Sequence, residues 1–138
     1  AEGCSMLMID LDNFKAVNDS KGHLFGDSLL QNFGLFLRNF FRKSDKVIRY
    51  GGDEFIVLLP GTQIPEAKRI GDNFLAALRK TPFDDGIILT ASVGVSQLTP
   101  DEPGRDWLQR ADEAMYLAKK SGKNAVQIAE APSLEILQ

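Results

Sequence analysis

The 138-residue sequence holds one cysteine, Cys4, and one histidine, His23. A lone cysteine forms no internal disulfide, so the fold draws nothing from cross-links; a reducing cytoplasm is the natural compartment and a buried structural thiol the natural role of Cys4. No stretch approaches the roughly 20 consecutive apolar residues of a membrane-crossing helix, and the N-terminus has no basic-then-apolar signal layout. A cytoplasmic domain is expected, although its parent chain can be membrane-attached through other segments. Basic residues form no stripe and the net charge is −3, which argues against nucleic acid as a partner. No internal repeat is visible. With 43% hydrophobic and 25% charged residues, the chain has the composition of one globular domain with one core.

What is present centres on Arg49-Tyr50-Gly51-Gly52-Asp53-Glu54-Phe55. Val47 to Tyr50 and Phe55 to Leu59 are rich in β-branched and aromatic residues. The diglycine between them predicts a hairpin whose turn uses glycine's tolerance of positive φ. Asp53 and Glu54 then stand at an exposed tip, either as hard oxygen ligands for a divalent cation or as acids of a solvated turn. Gly51 and Gly52, having no side chains, let a phosphate or base approach the backbone.

Ser5 to Leu11 reads as a central strand buried on both faces. Asp10 at its end serves either as a cation ligand or as a turn acid, and Asp12 is the better cap for a helix over Asn13 to Asn18. Asp27 to Arg42 carries Leu29, Leu30, Phe33, Leu37, Phe40 and Phe41 on one helical face. A third helix follows Pro65, with Ala67, Ile70, Phe74, Ala77 and Leu78 on its apolar face. Ile87 to Ser96 reads as a buried strand in which Gly94 marks a close backbone approach. Trp107, Ala111, Ala114, Met115 and Ala118 define a last helix closed at Gly122, before a short strand from Ala125 to Ile128. Strand, two helices, hairpin, helix, strand, helix, strand predicts an α/β (α+β) sandwich with a five-stranded central sheet flanked by helices.

Two motifs carry a resemblance. Gly51-Gly52-Asp53-Glu54-Phe55 matches the signature of the GGDEF domain family, the diguanylate cyclases. The run from Asp10 through Asp12, Phe14, Lys15, Asn18 and Asp19 to Gly22-His23 and Gly26-Asp27 matches a second signature of the same family. The match extends from about Ser5 to Val126 and implies a palm-like nucleotide cyclase core over residues 1–129, with 130–138 as a tail or the start of a linker. It also implies that a leading family segment is absent, which leaves open whether this fragment is active without its parent.

The resemblance implies condensation of two GTP into cyclic di-GMP and pyrophosphate at a homodimer interface, with two Mg²⁺ or Mn²⁺ per active site. Asp10, the Leu11 carbonyl and Asp53 become the metal ligands, Asp53 also takes the general-base position, and Glu54 has a supporting role. Asn18 and Asp27 become guanine-binding residues, with His23 nearby; by local reading alone they are a helix-end Asn, an N-cap Asp and a loop His. Lys119 and Lys123 become phosphate-binding cations, or otherwise oppose the dipole of the last helix. Lys123 stands where an arginine is frequent in the family, replacing a bidentate fork by a point charge. Arg42 and Asp45 form the Arg-x-x-Asp pattern of a product-inhibition site, or a surface ion pair at a helix end. The parent would carry a sensory or other signalling domain. The alternative is a non-catalytic module that binds GTP or cyclic di-GMP to regulate an attached domain.

Overall fold

A computed structural model describes residues 3–131. The element order is β1 (Cys4–Leu11), α1 (Phe14–Lys21), α2 (His23–Phe40), β2 (Lys46–Gly51), β3 (Glu54–Pro60), α3 (Ile64–Arg79), β4 (Ala91–Gln97), α4 (Gly104–Lys120) and β5 (Ala125–Ile128). The strands form one mixed sheet in the order β2-β3-β1-β4-β5, antiparallel except for β4 and β5. The parallel pair is joined through α4, the crossover that parallel strands require. The fold is thus the expected α+β one, and β1 is its central strand. Among the described residues no helix is long and apolar enough to cross a membrane. Most of the expected tail lies outside the described residues.

Alternation along β1 divides the interior into two layers. Leu7, Ile9 and Leu11 pack with Leu29, Phe33 and Leu37 of α2 and Phe74 and Leu78 of α3. Met6 and Met8 face the other way, onto Ala111 and Met115 of α4. The aromatic stripe of α2 is core, as its spacing predicts: Phe33 makes edge contacts with both Phe55 and Phe74. Cys4 is only half-buried, and burial pushes its thiol up, which leaves it a poor nucleophile.

Gly94 lies on the α4 side of the sheet, paired with Met8. A side-chain carbon there would collide with the Ala111 carbonyl and the Met115 amide. The expected close approach is therefore that of α4 onto the sheet, and it brings the C-terminal end of α4 beside the end of β1. Gly122 follows that helix with φ +123, and Lys123 N–H bonds back to the Ala118 carbonyl at 3.0 Å, the closure expected of a helix-ending glycine.

Three boundaries differ from the sequence reading. Asp12 does not cap α1: Asn13 occupies the cap position with left-handed φ 60 and no side-chain cap bond, because Asp12 is drawn into the interior by more distant donors. Helix α2 starts at His23, so Asp27 lies inside it and cannot be its N-cap; Gly22 with φ 93 makes the sharp passage from α1. The fourth strand begins at Ala91, since a short 3₁₀ turn at Asp84–Gly86 diverts the chain and Ile88 forms only an isolated bridge with Pro82.

The loop before α4 is held by Arg110, which donates to Glu102 at 2.7 and 2.8 Å and to the Gln97 carbonyl at 2.6 Å. Arg110, aided by Thr99, holds the Glu102 carboxyl down at about 2. The folded state therefore binds this proton less readily than the unfolded chain. The stability Glu102 contributes is present above its ordinary value of 4.5 and disappears as pH falls from there toward about 2. Denaturant unfolding between pH 6 and 2 is expected to show Glu102→Gln less stable than wild type at the upper end, with the two curves converging at the acid end. A constant gap across that range would contradict this assignment.

Candidate active site

The hairpin tip is brought to the end of β1 by strand register. Asp10 pairs with Glu54 across β1 and β3, and Leu11 N–H donates to the Asp53 carbonyl at 3.3 Å. The turn itself corrects an expectation. Neither Gly51 nor Gly52 has positive φ; a register shift between Arg49 and Gly51 absorbs the twist instead. Arg49 braces the tip by donating to the Gly52 carbonyl at 2.9 Å. A side-chain carbon at Gly52 would meet nothing within 4 Å, so the bare backbone there is open to approach.

Asp10 and Asp12 both lie on the α4 side of the sheet, with the Leu11 carbonyl between them. Lys119 of α4 reaches this edge: its Nζ lies 3.5 Å from Asp10 Oδ2, 3.1 Å from the Leu11 carbonyl and 3.1 Å from Asp12 Oδ1. Asp10 Oδ1 is buried without a hydrogen-bond partner. Burial first, and then the neighbouring Asp53 carboxylate, push the Asp10 carboxyl up to about 7 against the pull of Lys119. Burial and the charges of Asp112 and Asp53 also raise Glu54. The protein has thus gathered anionic oxygens and left one of them unpaired, an arrangement that favours a bound cation.

Among the described residues, no group of three or more His, Cys, Asp or Glu side chains is arranged to hold a metal unaided. Mg²⁺ does not require one, since it binds through one or two carboxylates with substrate phosphate oxygens and water completing its shell. The unpaired Asp10 oxygen, Asp53 and the Leu11 carbonyl fit that pattern. A groove of about 530 Å³ opens beside them, lined among others by Asp10, Glu54, Asp112, Tyr116 and Lys119.

Asp12 and Asp112 are the site neighbours that motif reading missed. Asp12 is fully enclosed. It accepts from Ser92 and Thr90 hydroxyls at 2.7 Å each, from Asn124 N–H at 2.9 Å and from Lys119. Burial works against its charge, but these bonds prevail and hold its carboxyl below the usual range. Strand alternation from Asp10 was the available signal, and helical spacing to Lys119 was the signal for Asp112.

The remaining expected residues lie around this centre. Asn18, near the end of α1, is half-buried with its Oδ1 enclosed and unpartnered. His23 and Asp27 are exposed on the first turns of α2. Lys123 donates to Asn13 Oδ1 at 2.7 Å, whereas Lys119 bonds Asp12 itself. Arg42 and Asp45 are elsewhere, beyond the end of α2. Arg42 grips Asp45 through Nε, Nη2 and its backbone N–H at 3.2, 2.8 and 2.9 Å. The Asp45 side chain is only 2% exposed against 56% for Arg42, which makes the pair an anchored one and not a loose surface contact.

A mixed-sheet α+β fold thus sets carboxylates at the end of its central strand, facing a lysine and a glycine-tipped hairpin. The family profile described as "Diguanylate cyclase, GGDEF domain" matches residues 2–125, and the chain belongs to the GGDEF domain family. It is 35% identical over 127 residues to diguanylate cyclase DgcP of Pseudomonas aeruginosa, covering 90% of this chain and 19% of that relative. The chain therefore spans about a fifth of that protein's length. The GGDEF domain of YfiN (TpbB) from Pseudomonas aeruginosa superposes with TM-score 0.86 at 37% identity, over 95% of this chain and 84% of that one. The GGDEF domain of DgcB from Caulobacter crescentus, solved with c-di-GMP, gives TM-score 0.86 at 25% identity, over 94% and 79%.

The Asp12 network yields a stability prediction. Asp12→Asn keeps the shape but leaves Lys119 without its nearest anion, so it should lower unfolding free energy by about 3 kcal/mol. Asp53→Asn, at a turn with little packing, should change it by less than about 1 kcal/mol. Equal losses in the two variants by denaturant unfolding would show that Asp12 carries no such network.

Proposed function

We propose that this domain joins two GTP molecules into cyclic di-GMP as a transient homodimer, each copy presenting one nucleotide to the other. The observation that carries this reading is the buried, unpartnered Asp10 oxygen beside Asp53 and Lys119. Each 3′-oxygen bonds to the α-phosphorus of the opposing GTP while the bond from that phosphorus to the β-phosphate bridging oxygen breaks, and the electron pair leaves with pyrophosphate. Bound Mg²⁺ or Mn²⁺, two per site, supplies activation of the hydroxyl and neutralisation of the leaving charge.

Asp10, Asp53 and the Leu11 carbonyl would hold the metal. Asp53 takes up the hydroxyl proton, with Glu54 in support; the raised Glu54 carboxyl suits a hydrogen-bonding role. Asp27 accepts from guanine N1–H and its 2-amino group, a donor pair adenine lacks. Asn18 completes the base contact and His23 borders it. The open backbone at Gly51 and Gly52 admits the phosphates, and Lys119 and Lys123 offer them positive charge on flexible stems. The domain would act within a longer signalling protein, under the control of a sensory or other partner domain.

Incubating the full-length protein that carries this domain with GTP and Mg²⁺ is expected to give cyclic di-GMP by chromatography, with specific activity rising over the concentration range where dimers form. Asp53→Asn should reduce the rate by at least about a thousandfold. Turnover by the variant equal to wild type would remove Asp53 from the chemistry, and constant specific activity from a demonstrated monomer would remove the dimer.

The product is proposed to bind back at Arg42 and Asp45, restraining the domain from meeting its partner copy. With Asp45 enclosed and committed to Arg42, the exposed guanidinium offers the remaining donors to guanine or phosphate oxygens. A groove of about 200 Å³ beside it includes Phe41, Glu66, Arg69 and Asn73. In calorimetric titration Arg42→Ala should bind cyclic di-GMP at least about tenfold more weakly and lose product inhibition of the initial rate. Unchanged binding and inhibition would reduce the pair to a helix-end anchor.

A further inference from the structure

We infer that Gly26 is a positioning residue for base recognition: its missing side chain leaves a notch in α2 that seats the Asn18 carboxamide and thereby sets which purine the site accepts. This rests on the GTP site proposed above. Gly26 is buried in the first turns of α2, where alanine would be the better helix former. A side-chain carbon built there would overlap the Asn18 carboxamide, lying 2.9 Å from its Cγ and inside contact distance of Oδ1, with the tip of the Phe14 ring at 3.2 Å.

The carboxamide is therefore held by shape. Asn18 Oδ1 is enclosed without a hydrogen-bond partner, so no polar contact of the protein fixes that atom. Exchanging the amide's oxygen and nitrogen leaves the steric contact the same. Asn18 as a whole is half-buried, which lets it meet a ligand while the notch limits its rotamers. The residue after Gly26 is Asp27, the proposed partner of guanine N1–H, so one turn of α2 both supplies a base contact and orients the other. Alanine at position 26 would drive the carboxamide out of the notch, and the base contact would go with it.

The two consequences of Gly26→Ala separate in sign. A merely structural glycine would lower the melting temperature and leave base choice alone, whereas a positioning glycine moves base choice. The probes are 3′-deoxy-GTP and 3′-deoxy-ATP, which lack the attacking hydroxyl and report binding alone, titrated with Mg²⁺ into the full-length protein. Gly26→Ala is expected to weaken 3′-deoxy-GTP about tenfold and to shrink the preference over 3′-deoxy-ATP, with a melting temperature no lower than wild type. Asn18→Ala should do the same, and the double variant should bind no worse than Asn18→Ala, because the added carbon then occupies vacated space.

Gly26→Ala binding as tightly and selectively as wild type would overturn the inference, as would full additivity in the double variant. If Gly26→Ala fails to fold while the double variant folds, the glycine is merely structural and the inference falls; if both fail, the notch belongs to Phe14 and it falls likewise. Failure of wild type itself to bind 3′-deoxy-GTP would overturn the GTP site together with this reading of it.

Discussion

The site depends on one buried anion. Asp12 draws four donors from three places at once: hydroxyls from Thr90 and Ser92 around the start of β4, the ammonium of Lys119 on α4, and the Asn124 amide just before β5. A carboxylate enclosed without partners costs several kcal/mol or more, so the folded chain must bring these elements to one point. Lys119 is delivered by that requirement. Once its ammonium is fixed on Asp12, its distance to the Leu11 carbonyl and Asp10 follows, and a positive charge stands at the end of β1 before any ligand arrives.

Next to this satisfied anion the protein keeps unsatisfied ones. Asp10 is buried with a free oxygen, and its carboxyl is pushed far above the ordinary range by burial and by Asp53. Within the protein alone this arrangement is unfavourable, and the two apolar layers packed on either face of β1 offset it. Arg42 and Asp45 form the opposite case, an anion whose three close bonds all come from one arginine. The difference decides what each place can recognise: an unpaired oxygen calls for a cation, while a paired one leaves only the outer donors of its arginine for a ligand.

Periodicity made the larger elements legible. The near-continuous apolar run of β1, the aromatic stripe of α2 and the small-residue face of α4 each report burial, and burial is what the side-chain pattern encodes. Asp12 was illegible for a physical reason. A residue just before a helix looks like a cap, and only donors about eighty and more than a hundred residues away in sequence show that it is not one. The start of α2 was obscured in the same manner: Asp27 has the chemistry of a cap, but Gly22 makes the turn that lets the helix begin earlier. Local preference lost in both places to contacts or backbone geometry that the motif spacing does not display.

The glycines carry this lesson furthest, because as letters they are identical. The motif's own pair, Gly51 and Gly52, suggests left-handed turn geometry, yet neither residue has positive φ and the twist is absorbed by a register shift. What they contribute is open space over the backbone. Gly94 contributes nearness, since a side chain there would push α4, and with it Lys119, away from the sheet. Gly26 contributes a seat for a neighbouring side chain in a helix that would otherwise prefer alanine. Gly22 and Gly122 do have the positive φ expected of a turn glycine, as do Gly61 and Gly86 elsewhere in the chain. The absence of a side chain thus has at least three separate uses around one site, and which use applies is set by what stands opposite each glycine in space, not by its neighbours in the chain.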